Sequence, residues 1–442
     1  MCEPISIFDA GRQIQSGRLA PLDLVERCLE QIRRYEDRVH AWVVVDEEGA
    51  RRAARRLGEE VARGSYRGPL HGIPVGIKDI VDVEGFPTRA GSKLTDPDVR
   101  ESDAPLVGAL RRAGAIMLGK TVTCEFACFD PSPTRNPWGP TLKHTPGGSS
   151  SGSAVAVALG MCLGAIGTQT GGSLVRPASY CGVAASKPTF GHISTDGVVP
   201  VSHHLDHPGP IARTARDLGC MFRTLIDLGT VAPAGDPPPP RLGLVEEFFS
   251  EEADEPIRGA MGDAIRTLKD GGARIEPVRL PKSFDEVHRM HRTIMAVEAA
   301  AVHRRRFEGQ RSDYGPCIAG ILEEGLGTSG VDYAEALTHQ RAFRRQMAAV
   351  FDAAESPDAL VMPATDTTAP ASLATTGDPK FQAPWSYAGL PVVSIPCGVA
   401  SDGMPAAVQL VGRKGGEAAL LRVAQWCEER LDFREFPPLW TT

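Results

Sequence analysis

The sequence lacks a long apolar segment, an excess of basic residues and any paired-cysteine motif, and each absence excludes a class of protein. The longest apolar run, residues 154–166, carries Gly160 and Gly164 and is too short to span a bilayer. Lysine and arginine number 48 against 55 aspartates and glutamates, a net charge of −7, which argues against nucleic acid and anionic membranes as partners. The 10 cysteines form no CxxC pair, which excludes zinc ribbons and thioredoxin-like redox motifs.

The remaining composition is that of a folded globular protein. Hydrophobic residues make up 42% of the chain and charged residues 23%, so the chain as a whole is not disordered. A secretory signal has a basic segment followed by an apolar stretch, and residues 1–17 show no such pattern. Scattered cysteines in such a chain are expected to be free thiols in a reducing compartment. We therefore expect a cytoplasmic protein.

The pattern of apolar residues predicts an α/β fold. Residues 21–35 place apolar side chains on one helical face and residues 47–62 form a second, charged helix, which together predict an N-terminal helical layer. From residue 72 onward, short apolar runs punctuated by glycine alternate with helical patterns. This alternation is typical of strands joined by crossover helices, so we expect a sheet with parallel content.

The pattern changes again beyond a proline-rich break at residues 229–240. Residues 241 to about 355 are charged and mostly helical. Strand-like segments and a closing helix then return at residues 359–363, 391–398, 406–412 and 417–431. The order predicts one α/β core with a helical insertion, which the C-terminal strands rejoin.

Residues 114–121, GAIMLGKT, fit the GxxxxGK[ST] pattern of a phosphate-binding loop. Such a loop needs a strand before its first glycine and small residues between its glycines, so that backbone N–H groups can wrap the phosphates. Here the intervening Ala-Ile-Met-Leu favours a buried strand, and the preceding segment is helix-like. We therefore expect residues 114–121 to be structural.

Three histidines, His203, His204 and His207, lie within five residues of a loop rich in proline and glycine. Imidazoles so close together can bind a metal, but the sequence has no HExxH motif and a solvated cluster is the better explanation. We expect neither a functional metal nor a cofactor.

Two glycine- and serine-rich turns, PGGSSSGS at 146–153 and GTQTGGS at 167–173, carry the strongest chemical signal. A Gly-Gly-Ser turn lets the backbone approach a ligand and aim consecutive N–H groups at one point, as an oxyanion hole requires. A serine that ends such a turn is well placed as a nucleophile. The alternative interpretation is a pair of loops whose serines cap helices.

These turns stand among other ordered blocks, and together they resemble the amidase signature family. The blocks include GIPVGIKD, GKTVTCEFA, CGVAASKPT, GLPVVSIPCG and GMPAAVQLVGR, at residues 72–79, 119–127, 181–189, 389–398 and 403–413. The resemblance covers nearly the whole chain and is weakest at 241–355. It implies a single α/β domain over residues 1–442, with a mixed central sheet covered by helices on both faces and a helical insertion.

Within that domain the resemblance implies four regions. Residues 1–65 form an N-terminal helical layer, and residues 66–228 form a catalytic core. Residues 241–355 form a variable helical region on the substrate side. Residues 356–442 supply C-terminal strands and a helix that rejoin the core.

Family members use a Ser–cisSer–Lys triad, and the motifs carry it onto three positions of this chain. Ser173 corresponds to the nucleophile, Ser149 to the bridging serine and Lys78 to the base. The resemblance also implies a cis peptide bond before Ser149. The backbone N–H groups of Thr170, Gly171, Gly172 and Ser173 correspond to the oxyanion hole.

The lysine can act as a base only when it is neutral, although its ordinary pKa is about 10.4. Burial lowers that pKa by disfavouring the ammonium form, whereas a facing carboxylate would raise it. We therefore expect Lys78 to be buried, as its apolar flanks suggest, and Asp79 to point elsewhere in a structural role.

The sequence departs from the common TDTGGSIR pattern in two linked places. Gln169 stands where many members have an acid, Val175 where they have an arginine, and an arginine follows one residue later at Arg176. Loss of both charges together is consistent with their normally pairing. The TQTGGSLVRP arrangement resembles malonamidase-type enzymes, which implies that Arg176 binds a substrate carboxylate. The alternative is that Arg176 is structural and bonds backbone carbonyls.

The resemblance implies an amidase that hydrolyses a small-molecule carboxamide to a carboxylate and ammonia or an amine, with esters, anilides or carbamates as further substrates. The alternative is the amidase subunit of a tRNA-dependent amidotransferase, which Gln169 and Arg176 disfavour. A non-catalytic binding protein is a weaker alternative, because all three triad positions are filled. A homodimer is compatible with the resemblance, and we expect no nucleic-acid or membrane partner.

Overall fold

A mixed sheet of 11 strands runs through the computed structural model, which describes residues 5–226, 238–353 and 355–441. Its strands are β1 Trp42–Val45, β2 Pro74–Lys78, β3 Ile116–Thr121, β4 Gly164–Gln169, β5 Ala184–Lys187, β6 His207–Ala212, β7 Arg241–Leu244, β8 Arg274–Pro277, β9 Ala359–Pro363, β10 Val392–Val399 and β11 Pro405–Val411. Their order across the sheet is β1-β3-β2-β4-β6-β5-β10-β11-β9-β7-β8.

The described residues also contain thirteen α-helices, some of which pack on the sheet and others on neighbouring helices. They are α1 Ile7–Gln15, α2 Pro21–Val39, α3 Glu47–Ala62, α4 Pro105–Arg112, α5 Ser151–Ala158, α6 Val175–Tyr180, α7 Ala215–Leu225, α8 Glu255–Asp270, α9 Val287–Gln310, α10 Pro316–Gly327, α11 Gly330–Asp352, α12 Ala383–Ala388 and α13 Glu417–Leu431. The predicted α/β class, with a mixed sheet covered by helices, is confirmed. No helix in the described part of the chain is long and apolar enough to cross a membrane.

The parallel part of the sheet positions the candidate site. Strand β2 pairs in parallel with β3 on one side and β4 on the other. The carboxyl ends of these strands therefore lie at one edge of the sheet, where ligands bind in open α/β sheets. Lys78 ends β2, and the second glycine-rich turn follows β4 directly.

The expected N-terminal helices are present as α2 and α3. Helix α2 extends to Val39 and buries one apolar face that includes Val25, Cys28, Leu29 and Ile32. Helix α3 begins after Asp46, whose carboxylate accepts a hydrogen bond from Gly49 N at 2.8 Å and so caps the helix.

The segment that matches the phosphate-loop pattern is a buried strand, as predicted. Residues Ile116–Thr121 form β3 between β1 and β2, and all six are buried. Its Lys120 side chain is fully buried and pairs with Asp79, so it is not free to bind a phosphate.

Residues 241–355 are mostly helical, as predicted, and contain helices α8 to α11, but they also contain two strands that our prediction did not include. Strands β7 and β8 pair in parallel, and β7 continues the sheet from β9. Both are four residues long and carry exposed arginines at their first positions. Strands this short, with a charged first residue, give little hydrophobic periodicity to detect. Most of the predicted proline-rich break, residues 229–237, lies outside the described residues.

Candidate active site

Lys78 lies at the carboxyl end of β2 with its side chain fully buried. Its Nζ donates hydrogen bonds to Ser149 Oγ and to Thr168 Oγ1, each at 2.8 Å. The structure therefore joins two of the three expected triad residues directly, although they are 71 positions apart in the sequence. Thr168, on neighbouring β4, was not among the predicted site residues.

Burial lowers the pKa of Lys78 to about 7, against the weaker opposing influence of Cys124, Asp206 and Cys128. Within the described residues, no carboxylate forms an ion pair with this lysine. Asp79 instead contacts Lys120, with Nζ and Oδ1 2.9 Å apart. The expectation that Asp79 points away from Lys78 is confirmed. Because burial lowers the pKa of Lys78 and Asp79 does not oppose it, a substantial fraction of Lys78 is neutral near neutral pH.

Ser149 lies in the first glycine-rich turn, before helix α5. The peptide bond between Gly148 and Ser149 is cis, as the resemblance implies. Gly147 has a φ of +75°, and a Cβ there would lie 2.9 Å from Pro177 Cα. Only glycine therefore allows this turn to approach the start of helix α6 so closely.

The two turns are joined by hydrogen bonds. Ser150 N donates to Ser173 O at 3.1 Å, and Thr168 N donates to Ser150 Oγ at 3.2 Å. Ser173 is half-buried, and its side chain lines the same cavity as Ser149. The structure thus brings all three expected triad residues to one edge of the sheet.

Three successive carbonyl groups of the second turn, those of residues 170–172, accept hydrogen bonds. Thr170 O accepts from His291 Nε2, Gly171 O from Ser386 Oγ, and Gly172 O from Arg176 N, each at 3.0 Å. In a planar trans peptide the N–H points opposite to the C=O. The N–H groups of Gly171, Gly172 and Ser173 therefore point away from these donors.

A narrow cavity lies between the two turns. Its polar lining comes from Ser149, Thr170, Ser173, Arg176 and Thr376, and its apolar lining includes Ala127, Phe129, Val201 and Met295. Two buried thiols, Cys124 and Cys128, complete the wall beside Ser149. The cavity thus combines apolar walls with a few polar side chains, as small-molecule sites commonly do.

Comparison with known proteins identifies the family. Residues 23–421 match the family described as Amidase. The chain belongs to the amidase family. This amidase-family member is accordingly a hydrolase that acts on carbon–nitrogen bonds.

Its relatives include proteins of different roles. It is 32% identical to a subunit of the glutamyl-tRNA(Gln) amidotransferase of Roseiflexus castenholzii, over 98% of this chain and 97% of that protein. A crystal structure of an amidase matches 96% of this chain and 100% of its own, with a TM-score of 0.88 and 33% identity. The peptide amidase of Stenotrophomonas maltophilia has a TM-score of 0.84 and 28% identity, with 99% of both chains covered.

The departure at Gln169 has a physical explanation in this amidase. Its Oε1 accepts hydrogen bonds from Leu174 N at 3.2 Å and Val175 N at 3.1 Å, at the start of helix α6. Its Nε2 donates to Ser386 Oγ at 3.0 Å, and Ser386 in turn donates to Gly171 O. A neutral amide thus satisfies donors and acceptors around the turn without a buried ion pair.

Arg176 is buried, and burial lowers the pKa of its guanidinium. Its Nη2 donates to Gly148 O at 2.8 Å and to Thr376 Oγ1 at 3.3 Å. Within the described residues its Nε and Nη1 have no hydrogen-bond partner. The structure therefore places one edge of the guanidinium on the turn that carries Ser149 and leaves two donors unused.

The histidine cluster does not converge on one point. His203 and His204 are exposed, whereas His207 is buried and donates from Nδ1 to Leu205 O at 2.6 Å. His204 Nδ1 contacts the carboxylate of Glu298. No group of three or more candidate metal ligands occurs in the described residues.

Sequence reasoning missed four residues that contact the site. Thr168 lies within the second glycine-rich turn, but nothing in the sequence indicated that Asp206 would accept a hydrogen bond from Thr170 Oγ1 at 2.5 Å. His291 and Ser386 lie 121 and 215 residues from their partners in the turn. Only the alternation of threonines around Gln169 offered a signal, since it places Thr168 and Thr170 on one face.

Proposed function

We propose that this protein is an amidase that hydrolyses a small-molecule carboxamide to a carboxylate and ammonia or an amine, through an acyl-enzyme on Ser173. Esters, anilides and carbamates are further substrates of the same chemistry. The observation that carries the proposal is the buried Lys78, which bonds Ser149 Oγ and has no ion-pair partner among the described residues.

The proposed reaction begins with proton transfer. Ser173 Oγ attacks the amide carbon while Ser149 accepts the Ser173 proton and passes its own to neutral Lys78. The tetrahedral intermediate then collapses. The carbon–nitrogen bond breaks, and the proton returns from Lys78 through Ser149 to the leaving nitrogen. Water repeats the sequence on the acyl-enzyme, releasing the carboxylate and restoring Ser173.

Backbone N–H groups of the second turn would hold the oxyanion of the intermediate. The hydrogen bonds to the carbonyls of residues 170–172 support this role, because they fix the direction of the N–H groups of Gly171, Gly172 and Ser173. The sequence expectation also included the N–H of Thr170, which remains part of the proposal.

Arg176 bears on the substrate class. Because its Nη2 is engaged by Gly148 O, one role is to hold the turn that carries Ser149. The unpartnered Nε and Nη1 leave donors for a substrate carboxylate, as the likeness to malonamidase-type enzymes implies. An amide with a carboxylate on its acyl side is therefore the first substrate class to test.

The relatedness to an amidotransferase component supports a second candidate, an amidase subunit that supplies ammonia to partner proteins. Gln169, whose amide replaces a charged pair in the turn, favours the independent amidase. Copurification with partner subunits, or a requirement for ATP and charged tRNA, would favour the second candidate instead. The cytoplasmic location, the homodimer and the four-region division of the domain remain predictions.

The test is release of ammonia or amine from a panel of aliphatic amides, dicarboxylic monoamides, anilides and carbamates. We expect the wild type to turn over at least one class and Ser173→Ala to be inactive on all of them. A fluorophosphonate adduct found on Ser173 by mass spectrometry would support the acyl-enzyme. Near-normal turnover by Ser173→Ala would overturn the proposal.

A further inference from the structure

Helix α9 brings a buried histidine onto the turn that we propose as the oxyanion hole. His291 lies in the second turn of this helix, and its Nε2 is 3.0 Å from Thr170 O. A carbonyl can only accept a hydrogen bond, so Nε2 carries the hydrogen and donates it. This contact comes from residues 241–355, the part of the chain that resembles the family least.

The contact acts on one particular peptide group. The Thr170 carbonyl and the Gly171 N–H belong to the same planar unit, so holding the carbonyl also fixes the direction of the N–H. Gly171 and Gly172 follow, and glycine restricts backbone rotation least of all residues. Without the hydrogen bond from His291 to Thr170 O, the Thr170–Gly171 peptide can rotate and turn the Gly171 N–H away from its direction in this structure.

The surroundings of His291 suit a fixed, neutral donor. Burial lowers the pKa of its imidazole to about 4, against the hydrogen bond to Thr170 and with the help of the nearby His288 and Arg292. The ring is therefore neutral near neutral pH. One turn further along α9, Met295 lines the cavity, and Glu298 then accepts hydrogen bonds from Ser202 Oγ and His204 N. These contacts hold this face of the helix against the site.

We propose that His291 is a positioning residue that orients the Thr170–Gly171 peptide so that the Gly171 N–H faces the oxyanion. The inference rests on the proposed function, because it assumes acyl transfer at Ser173. It assigns to the variable helical region a direct part in the geometry of the reaction.

The test compares His291→Gln with His291→Met, two unbranched side chains of similar length that differ in the hydrogen-bond donor. We expect His291→Met to lower kcat by about 10- to 100-fold with KM within about threefold, because the lost alignment matters most in the transition state. His291→Gln should recover most of kcat. The rate of Ser173 labelling by a fluorophosphonate should fall in parallel, since the phosphonyl oxygen occupies the same hole.

The matched control is His303→Met on the same helix. His303 is also buried, and burial lowers its pKa to about 4, but it contacts Tyr314 OH rather than the turn. We expect its kcat to stay within about threefold of wild type. If His291→Met does not fold, as judged by its melting temperature, His291→Phe takes its place because it keeps the ring volume without the donor.

Two outcomes would overturn the inference. The first is a kcat for the donor-free variant within about threefold of wild type. The second is equal loss in His291→Met, His291→Gln and His303→Met in step with their melting temperatures, which would indicate a purely structural role. Ser173→Ala separates the two proposals, because activity in that variant contradicts the proposed function itself, whereas an inactive Ser173→Ala beside an unaffected His291→Met contradicts only the role of His291.

Discussion

Two fully buried lysines lie near the carboxyl ends of adjacent parallel strands of the sheet, and one of them faces a carboxylate. Lys120 on β3 has Asp79 2.9 Å away and also donates to Pro87 O and Thr88 Oγ1, whereas Lys78 on β2 donates to the hydroxyls of Ser149 and Thr168. Burial lowers the pKa of both, but Asp79 opposes that effect only at Lys120. The same residue type in the same layer can thus be a structural cation or a candidate base, depending on its partner.

Strand geometry explains why the Asp79 carboxylate contacts Lys120 and not Lys78, which is its neighbour in the sequence. In the register of β2 with β3, Ile77 stands beside Lys120 and Lys78 beside Thr121. Successive side chains along a strand point to opposite faces, so Asp79 is on the same side as Ile77 and Lys120. Adjacency in the chain therefore keeps Asp79 away from Lys78.

The largest effect should come from removing the candidate base. We expect Lys78→Met to lower kcat by about 10³- to 10⁴-fold, because no other group would take the proton from Ser149. Its stability should change little, since folding no longer buries an amine that prefers to be charged in water. Steady-state kinetics and thermal unfolding measure the two quantities. A folded Lys78→Met with near-normal kcat would contradict the assignment of the base.

The opposite result is expected for the other lysine. Lys120→Met should reduce the free energy of unfolding by about 3–5 kcal/mol, because it leaves the buried Asp79 without its partner. Chemical denaturation of Lys120→Met, Asp79→Asn and the double variant measures the coupling free energy between the two side chains. We expect the double variant to lose less stability than the sum of the single variants. Strict additivity would mean that the pair contributes no coupling.

Arg176 extends the comparison to a third buried cation with donors left unused. If these bind a substrate carboxylate, Arg176→Gln should cost about 2–4 kcal/mol in kcat/KM for a dicarboxylic monoamide, mainly through KM. A neutral methyl-terminated analogue should lose far less. Equal losses on both substrates would instead indicate that Arg176 acts only through Gly148 O.

The difference between the two lysines can also be tested by placing a carboxylate beside Lys78. Activity should fall as the pH drops through about 7, because the base works only when deprotonated and its pKa is lowered to that value. In Thr168→Asp an added carboxylate favours the ammonium form, so the acidic limb should move to higher pH by about 1–3 pH units. Thr168→Val is the control without charge. An unmoved limb in Thr168→Asp would indicate that another group sets the profile.

The sequence could predict those parts of the site that lie within continuous motifs. Lys78, Ser149 and Ser173 each stand in a glycine-rich block, and the argument about lysine pKa also predicted that Asp79 would turn away. The same reasoning recognised residues 114–121 as a buried strand, but not that Lys120 would pair with Asp79. That pairing depends on the register between β2 and β3, which hydrophobic pattern alone does not specify.

The remaining contacts depend on tertiary packing. His291 and Ser386 reach the turn from helices α9 and α12, and single histidines or serines on a helix carry no distinguishing pattern. The strands β7 and β8 were missed for a different reason, since four residues with charged ends are too few to show alternation. Local pattern therefore located the chemical groups but not the groups that orient them.

The central claim is that neutral Lys78 activates Ser173 through Ser149, and the rate of Ser173 labelling by a fluorophosphonate as a function of pH tests it most directly. In the wild type this rate should fall on the acidic side with an apparent pKa near 7, with the adduct located on Ser173 by mass spectrometry. In Lys78→Met, labelling should be slow and independent of pH. A wild-type rate that is flat from about pH 5 to 9, or the same profile in both proteins, would contradict the claim.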